Sequence, residues 1–214
     1  MKKCIIIGAG ELFGAPEKIA SANNDVLVIA ADGGYRYCLN LGIKPDVIIG
    51  DFDSLEEKPE NCFLVCLPIE KDDTDTLAAI RYGLSENCEE FHIFGGTGGR
   101  FDHTFANMQC LVFLSVQNKR GFLYGNGYVA TAVTNGAISF SEDASGTVSV
   151  FSAGDTAKGV SETGLKYSLE NAEIHNDFPI GVSNSFTGRK SRINVDKGTI
   201  FVIFPEEVKL NNDI

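Results

Sequence analysis

Residues 91–117 read FHIFGGTGGRFDHTFANMQCLVFLSVQ. The opening FHIF is a short apolar run of the kind that forms a strand buried on both faces. TFANMQCLVFLSVQ is long and apolar enough for a helix. Between them stand Gly95, Gly96, Gly98 and Gly99, followed by Arg100, Asp102 and His103. The stretch is therefore a strand, a glycine-rich turn and a helix. Backbone N–H groups at such a turn and helix start attract anions. Arg100 adds a planar fork of donors matched to phosphate oxygens. A turn without side chains lets a polyphosphate come close.

The same alternation recurs through the first part of the chain. CIII (4–7), VLVIA (26–30), DVIIG (46–50), CFLVCLP (62–68) and FLYG (122–125) read as further strands. DGGYRYCLNLG carries a short helix, and another runs from KDDTD to about Glu86. Short, fully apolar strands separated by helices indicate a parallel sheet covered on both faces. Beyond residue 127 the pattern changes. YVATAV, AISF, TVSVFSA, GVSETG, LKYSL, SRINVD and GTIFVIF are short, often alternating, and spaced by Gly, Asn, Asp and Ser turns. That is the pattern of a small all-β sandwich. The expected architecture is an α/β N-terminal domain over residues 1–127, with a mostly parallel Rossmann-like sheet, and a β-sandwich domain over 128–214.

The 214 residues include 18 basic and 29 acidic ones, for a net charge of −11. That balance argues against a nucleic-acid backbone as partner, which needs a basic patch. No apolar run reaches the ~18 residues of a membrane helix, and CIIIGAG is too short for the apolar core of a signal peptide. A cytoplasmic protein is expected, with no membrane partner. Six cysteines, at 4, 38, 62, 66, 88 and 110, form no zinc-ligand set and read as reduced structural thiols.

In an open parallel sheet, ligands bind beyond the C-terminal strand ends. Asp32 and Gly33 follow the strand at 26–30, and Asp51 and Asp53 follow the one at 46–50. Asp72, Asp73 and Asp75 follow 62–68, and Asp102 follows 91–94. These carboxylates would repel one another at a single edge, and a divalent cation among them removes the conflict. An all-oxygen donor set suits Mg²⁺. The plainer reading makes Asp102, Asp73 and Thr74 helix caps and DFDS an Asx turn. GAGELFG (8–14) approaches a dinucleotide fingerprint but is one residue too long, and GGTGGR lacks the lysine and hydroxyl residue of a P-loop.

ADGGYRYCLNLGIKPDVIIGDFDS (31–54), EKDDTDTLAAI (70–80), GGTGGRFDH (95–103) and GVSNSFTG (181–188) occur in this order. Together they resemble the thiamine pyrophosphokinase (thiamine diphosphokinase) family over most of the chain. The resemblance implies pyrophosphoryl transfer from ATP to the thiamine hydroxyl, giving thiamine diphosphate and AMP. It implies a homodimer, with thiamine between the α/β domain of one subunit and the β domain of the other. Asp51, Asp53 and Asp75 would be the Mg²⁺ ligands, with Asp73 beside them and Asp102 completing the catalytic carboxylates. Gly96, Gly98, Gly99, Arg100 and Asp102 would hold ATP, with Asp32, Gly33 and His103 in the same nucleotide set. Ser183 and Asn184 would line the thiamine site. The family often stacks a tryptophan on thiamine from the motif that reads GLKYSL here (164–169). This chain has no tryptophan, and Tyr167 takes the position. Two other classes remain to be separated by experiment: a nicotinamide-dependent oxidoreductase and a non-catalytic nucleotide-binding module.

Overall fold

The computed structural model describes residues 1–22, 25–50, 63–66 and 73–211, with 63–66 described by backbone. They form two compact units, Met1–Cys110 with Lys119–Asn126, and Leu111–Asn118 with Gly127–Ile214.

The first unit contains the strands β1 (Lys3–Ile7), β2 (Val26–Ala31), β3 (Val47–Gly50), β4 (Phe63–Cys66), β5 (Glu90–Phe94) and β6 (Arg120–Gly125). They pair side by side in the order β6-β5-β1-β2-β3-β4, each neighbouring pair parallel. The helices α1 (Pro16–Ala22), α2 (Gly34–Leu41) and α3 (Asp75–Ser85) belong to this unit, as does the first part of α4 (Phe101–Ser115). Alternate side chains of the strands serve opposite faces. Ile5, Ile7, Val28, Ala30, Ile48 and Phe94 pack with Cys38 of α2, and Ile19 of α1 joins them. On the other face α3 lies directly on the sheet. A Cβ added at Gly83 would stand 2.7 Å from Phe91 and 3.0 Å from the Cys4 thiol. Cover on both faces explains why these strands carry apolar runs instead of alternation. Helix α1 was not legible as an element. Pro16 opens it, in the first-turn position where its missing N–H costs nothing.

One charged cluster is buried in this sheet. Register places Lys3 of β1 and Arg120 of β6 on either side of Glu90 of β5. The Glu90 carboxylate accepts from Lys3 Nζ at 2.8 Å, Arg120 Nη2 at 2.6 Å and His92 Nε2 at 3.0 Å. Burial alone would raise its pKa. The bonds from His92 and Lys3, with the charges of His92 and Arg120, overcome that and bring it to about 2.

The second unit contains β7 (Tyr128–Thr134), β8 (Ala137–Phe140), β9 (Thr147–Ser152), β10 (Thr156–Thr163), β11 (Leu169–His175), β12 (Asn184–Ser185), β13 (Ser191–Asn194) and β14 (Thr199–Pro205). β12-β9-β14-β7 pair antiparallel in that order. A separate four-stranded antiparallel sheet runs β11-β10-β13-β8. The two sets meet where Phe140 of β8 packs edge-on against Phe204 of β14, ring centroids 5.2 Å apart. The fold thus combines mixed parallel and antiparallel pairing with a separate antiparallel sheet. LKYSL, expected as a strand, is instead mostly a bend between β10 and β11. Leu165 makes an isolated bridge to Phe186, and Leu169 opens β11, opposite Glu162. Among the described residues no helix is long and apolar enough to cross a membrane.

Because the Glu90 pKa lies below its unfolded value of about 4.3, its stabilising effect is complete above that value and is lost as pH falls toward 2. The effect is at most about 3 kcal/mol. Urea midpoints measured from pH 5 to pH 2.5 should fall more steeply for the native chain than for Glu90→Gln.

Candidate active site

The strand order reverses at β1. The chain steps outward from β1 to β4 on one side, then returns to β1's other side as β5 and continues to β6. Such a reversal is where an open parallel sheet binds its ligands, beyond the C-terminal ends of the strands. Two glycine turns occupy this place, residues 8–10 after β1 and 95–99 after β5. They are joined backbone to backbone. Gly8 N donates to Phe94 O at 2.8 Å, Gly10 N to Gly95 O at 2.8 Å, and Glu11 N to Thr97 O at 3.0 Å.

This packing changes the reason for several glycines. A Cβ on Gly8 or Gly10 would lie 2.8 or 2.7 Å from Gly95 O, and one on Gly95 would lie 2.4 Å from Gly8 O. At Gly96 it would meet Leu123, Asn107 and Ile93 at 2.8 to 3.0 Å. These positions are glycine because the protein fills the space itself. Gly99, with φ +61°, is the position of the turn with no atom within 4 Å of an added Cβ. Gly98, with φ +77°, lies under the side chain of Glu11. Glu11 is a carboxylate at the turn that the sequence reading did not single out. Its only signal was its place in GAGELFG.

The turn is anchored to the helix that follows. Buried Asn107 of α4 donates its Nδ2 to Gly96 O at 2.7 Å. Arg100, Asp102 and His103 are exposed at the start of α4. Arg100 Nε donates to Asp102 Oδ1 at 3.1 Å and Nη2 to Oδ2. This pairing holds the Asp102 carboxyl below the usual carboxylate range.

Asp32 sits in a left-handed backbone conformation, φ +49°. Its N–H donates to Ile49 O at 2.8 Å, and its Cα lies 3.3 Å from where a Cβ on Gly50 would be. Asp32 therefore stands at the end of β3, where the sequence runs into Asp51. A Cβ on Gly33 would be 3.2 Å from that of Ala9, which brings this turn against the one after β1. Asp51, Asp53, Asp72 and Cys62 lie outside the described residues. Thr74 caps α3, accepting from Leu77 N at 3.2 Å. Asp73 pairs with Arg81 at 3.2 Å, and Asp75 lies in the first turn of α3. Among the described residues no three His, Cys, Asp or Glu side chains are grouped to hold a metal.

In the second unit, Tyr167 is 60 % exposed and so is no core aromatic. The Lys166 ammonium lies 5.1 Å from its ring centroid, a cation over the negative face of the ring. Asn184 is buried and joined to Tyr167. Its Oδ1 accepts from Tyr167 N at 2.9 Å and its Nδ2 donates to Tyr167 O at 2.6 Å. Ser183 has φ +60°, and its N–H donates to Ser149 Oγ at 3.0 Å. The sequence motif GVSN and the aromatic of GLKYSL thus converge. In this arrangement the Asn184 amide is engaged with the protein's own backbone.

Two family models match the chain. Thiamin pyrophosphokinase, catalytic domain, matches residues 20–123, and Thiamin pyrophosphokinase, vitamin B1 binding domain, matches 137–200. The chain is 27 % identical over 210 residues to the thiamine pyrophosphokinase of Bacillus subtilis (strain 168), covering 95 % of this chain and 98 % of that one. The crystal structure of thiamine pyrophosphokinase from Bacillus subtilis is similar with a TM-score of 0.85 at 25 % identity, covering 95 % and 99 %. That of thiamin pyrophosphokinase from Geobacillus thermodenitrificans gives 0.83 at 25 % identity, covering 96 % and 98 %.

The two kinds of glycine separate by substitution. Gly96→Ala should destabilise by about 2–3 kcal/mol through overpacking. Gly99→Ala should cost about 1 kcal/mol, from backbone strain alone. Urea unfolding of the two variants checks the difference.

Proposed function

The chain belongs to the thiamin pyrophosphokinase family, and we infer that it is the ATP-dependent transferase that moves a pyrophosphoryl group onto the hydroxyl of thiamine. The products are thiamine diphosphate and AMP. One observation carries this reading. The catalytic-domain match falls mainly on the first compact unit and the vitamin B1 match lies within the second, in the family's order.

We read the first unit as a Rossmann-like domain that takes the nucleotide at the reversal of strand order. The open position at Gly99, the N–H groups of the turn and the guanidinium of Arg100 would receive the triphosphate. Asp32 and Gly33 would border it from the end of β2. In this reading Arg100 exchanges the Asp102 carboxylate for phosphate oxygens, or shares itself between them. Its fork of donors allows either. Gly96 contributes by seating the turn on α4, and His103 stands exposed one residue beyond Asp102. The thiamine hydroxyl attacks the β-phosphorus and passes its proton to a carboxylate, Asp73 or Asp102, while the bond from that phosphorus to the oxygen bridging the α- and β-phosphates breaks and AMP leaves. Fixing the phosphates and the hydroxyl in line, with donors on the charged oxygens, supplies most of the acceleration.

The family reading implies Mg²⁺, to be held by Asp51, Asp53 and Asp75 with Asp73 nearby. The donor chemistry fits, being carboxylate oxygen throughout. When bound, the ion would neutralise phosphate charge among these carboxylates. On the thiamine side we assign Tyr167 as the stacking surface, Ser183 as a lining residue and Asn184 as the holder of the Tyr167 turn. We also propose a homodimer that completes this site. The exposed Phe178, Ile180 and Val182 in the second unit support it, as do Phe101 and Phe105 on α4. Buried free thiols at Cys4, Cys88 and Cys110 support a cytoplasmic setting.

Incubation with ATP, Mg²⁺ and thiamine should yield AMP and thiamine diphosphate in equal amounts, with turnover lost in Asp75→Ala. ADP with thiamine monophosphate would instead show a simple kinase, and turnover of NADH an oxidoreductase. Tyr167→Ala should raise the thiamine KM about tenfold and leave the ATP KM unchanged, the loss expected for one stacking contact.

A further inference from the structure

We propose that Glu162 is a positioning residue for thiamine, acting through Asn184 to hold the turn that presents Tyr167. The proposal rests on Tyr167 being the thiamine-stacking surface.

Glu162 lies in β10, opposite Ile193 of β13 and Leu169 of β11, and is 2 % exposed. Its Oε2 accepts from Asn184 Nδ2 at 2.7 Å. Asn184 belongs to β12, which pairs with β9, so this bond ties the four-stranded sheet to the other set of strands. The Asn184 amide is then fully used. Its Oδ1 accepts from the N–H groups of Tyr167 and Ser185, each at 2.9 Å, and its Nδ2 serves Glu162 and Tyr167 O. Both backbone polar groups of Tyr167 are thereby held by one side chain, which is held in turn by Glu162.

The choice of glutamate needs a reason. Its other oxygen, Oε1, is buried without a hydrogen-bond partner. Burial pushes the carboxyl pKa up, and the bond from Asn184 only partly opposes this. A half-satisfied buried carboxyl is costly, and packing alone would favour an apolar side chain at this core position. What glutamate adds is direction. Its Oε2 accepts from the Nδ2 end of the Asn184 amide, which leaves Oδ1 for the Tyr167 N–H. A change at an almost fully buried residue is thus passed to an exposed ring through two hydrogen bonds.

The absence of tryptophan from the chain supplies the test. In a Tyr167→Trp background, the single indole reports the turn through its anisotropy and its quenching by acrylamide, without thiamine. Glu162→Asp shortens the side chain beyond reach of Asn184, Glu162→Leu removes the acceptor, and Glu162→Gln keeps one. Asp and Leu should lower anisotropy and raise quenching, whereas Gln should match the parent. In the Tyr167 background, Asp and Leu should raise the thiamine KM about tenfold with the ATP KM unchanged, the loss of one buried acceptor, and Gln should stay within about twofold. Should Leu fail to fold by circular dichroism, Asp and Gln decide. Unchanged indole signals in Asp would overturn the positioning role. Altered signals with an unchanged thiamine KM would overturn the link to thiamine and locate the failure in the assignment of Tyr167.

Discussion

The end of the parallel sheet where the strand order reverses depends on a backbone contact. The turn after β1 and the turn after β5 continue the pairing of their strands, through the Gly8, Gly10 and Glu11 N–H groups and the Phe94, Gly95 and Thr97 carbonyls. Side chains would force the two turns apart, so Gly8, Gly10 and Gly95 have no substitute. Close contact brings the first helical turn of α4 into fixed relation with β1, at the reversal of strand order. Asn107 then pins the turn to its own helix. The turn is built from main chain held by main chain, which keeps its N–H groups in place, as the proposed phosphate site requires.

Two electrostatic arrangements divide the first unit. At the N-terminal ends of β1, β5 and β6, Glu90 is enclosed by Lys3, His92 and Arg120, and its charge is satisfied within the protein. At the start of α4 and beside α3 the charges are exposed instead. Arg100 with Asp102 and Arg81 with Asp73 are surface pairs, and such pairs contribute little to stability. Their arginines can therefore change partners at small cost, as the proposed phosphate site would require. A net charge of −11 makes these local cations more important, since the protein's overall field repels a nucleotide.

Much of this was legible in the sequence. Short, fully apolar runs placed β1, β2, β3, β4, β5 and β6, and the glycine turn before a long apolar segment placed α4. The motifs GDFDS, DDTD, GGRFDH and GVSNS pointed to the family. What escaped the sequence depends on distant partners. Gly95 and Gly96 looked like ligand-facing glycines, and their cause is in residues 8, 93, 107 and 123. LKYSL looked like a strand because its composition is strand-like, yet Asn184, 17 residues from Tyr167, takes both of the tyrosine's backbone groups. Glu162 carried no signal, because an acidic residue in an alternating segment normally faces water. Asp51 and Asp53, clear in sequence, lie outside the described residues.

Lys166 over the Tyr167 ring has a consequence for recognition. A cationic heterocycle that stacked on the same face would displace a tethered ammonium, an internal competitor present at high effective concentration. Binding then measures the difference between two cations on one π face. Charge largely cancels in that exchange, and what remains is the area of a flat ring against a tyrosine. By this arithmetic the ring face selects for planarity more than for positive charge, and free amines gain little by competing for it.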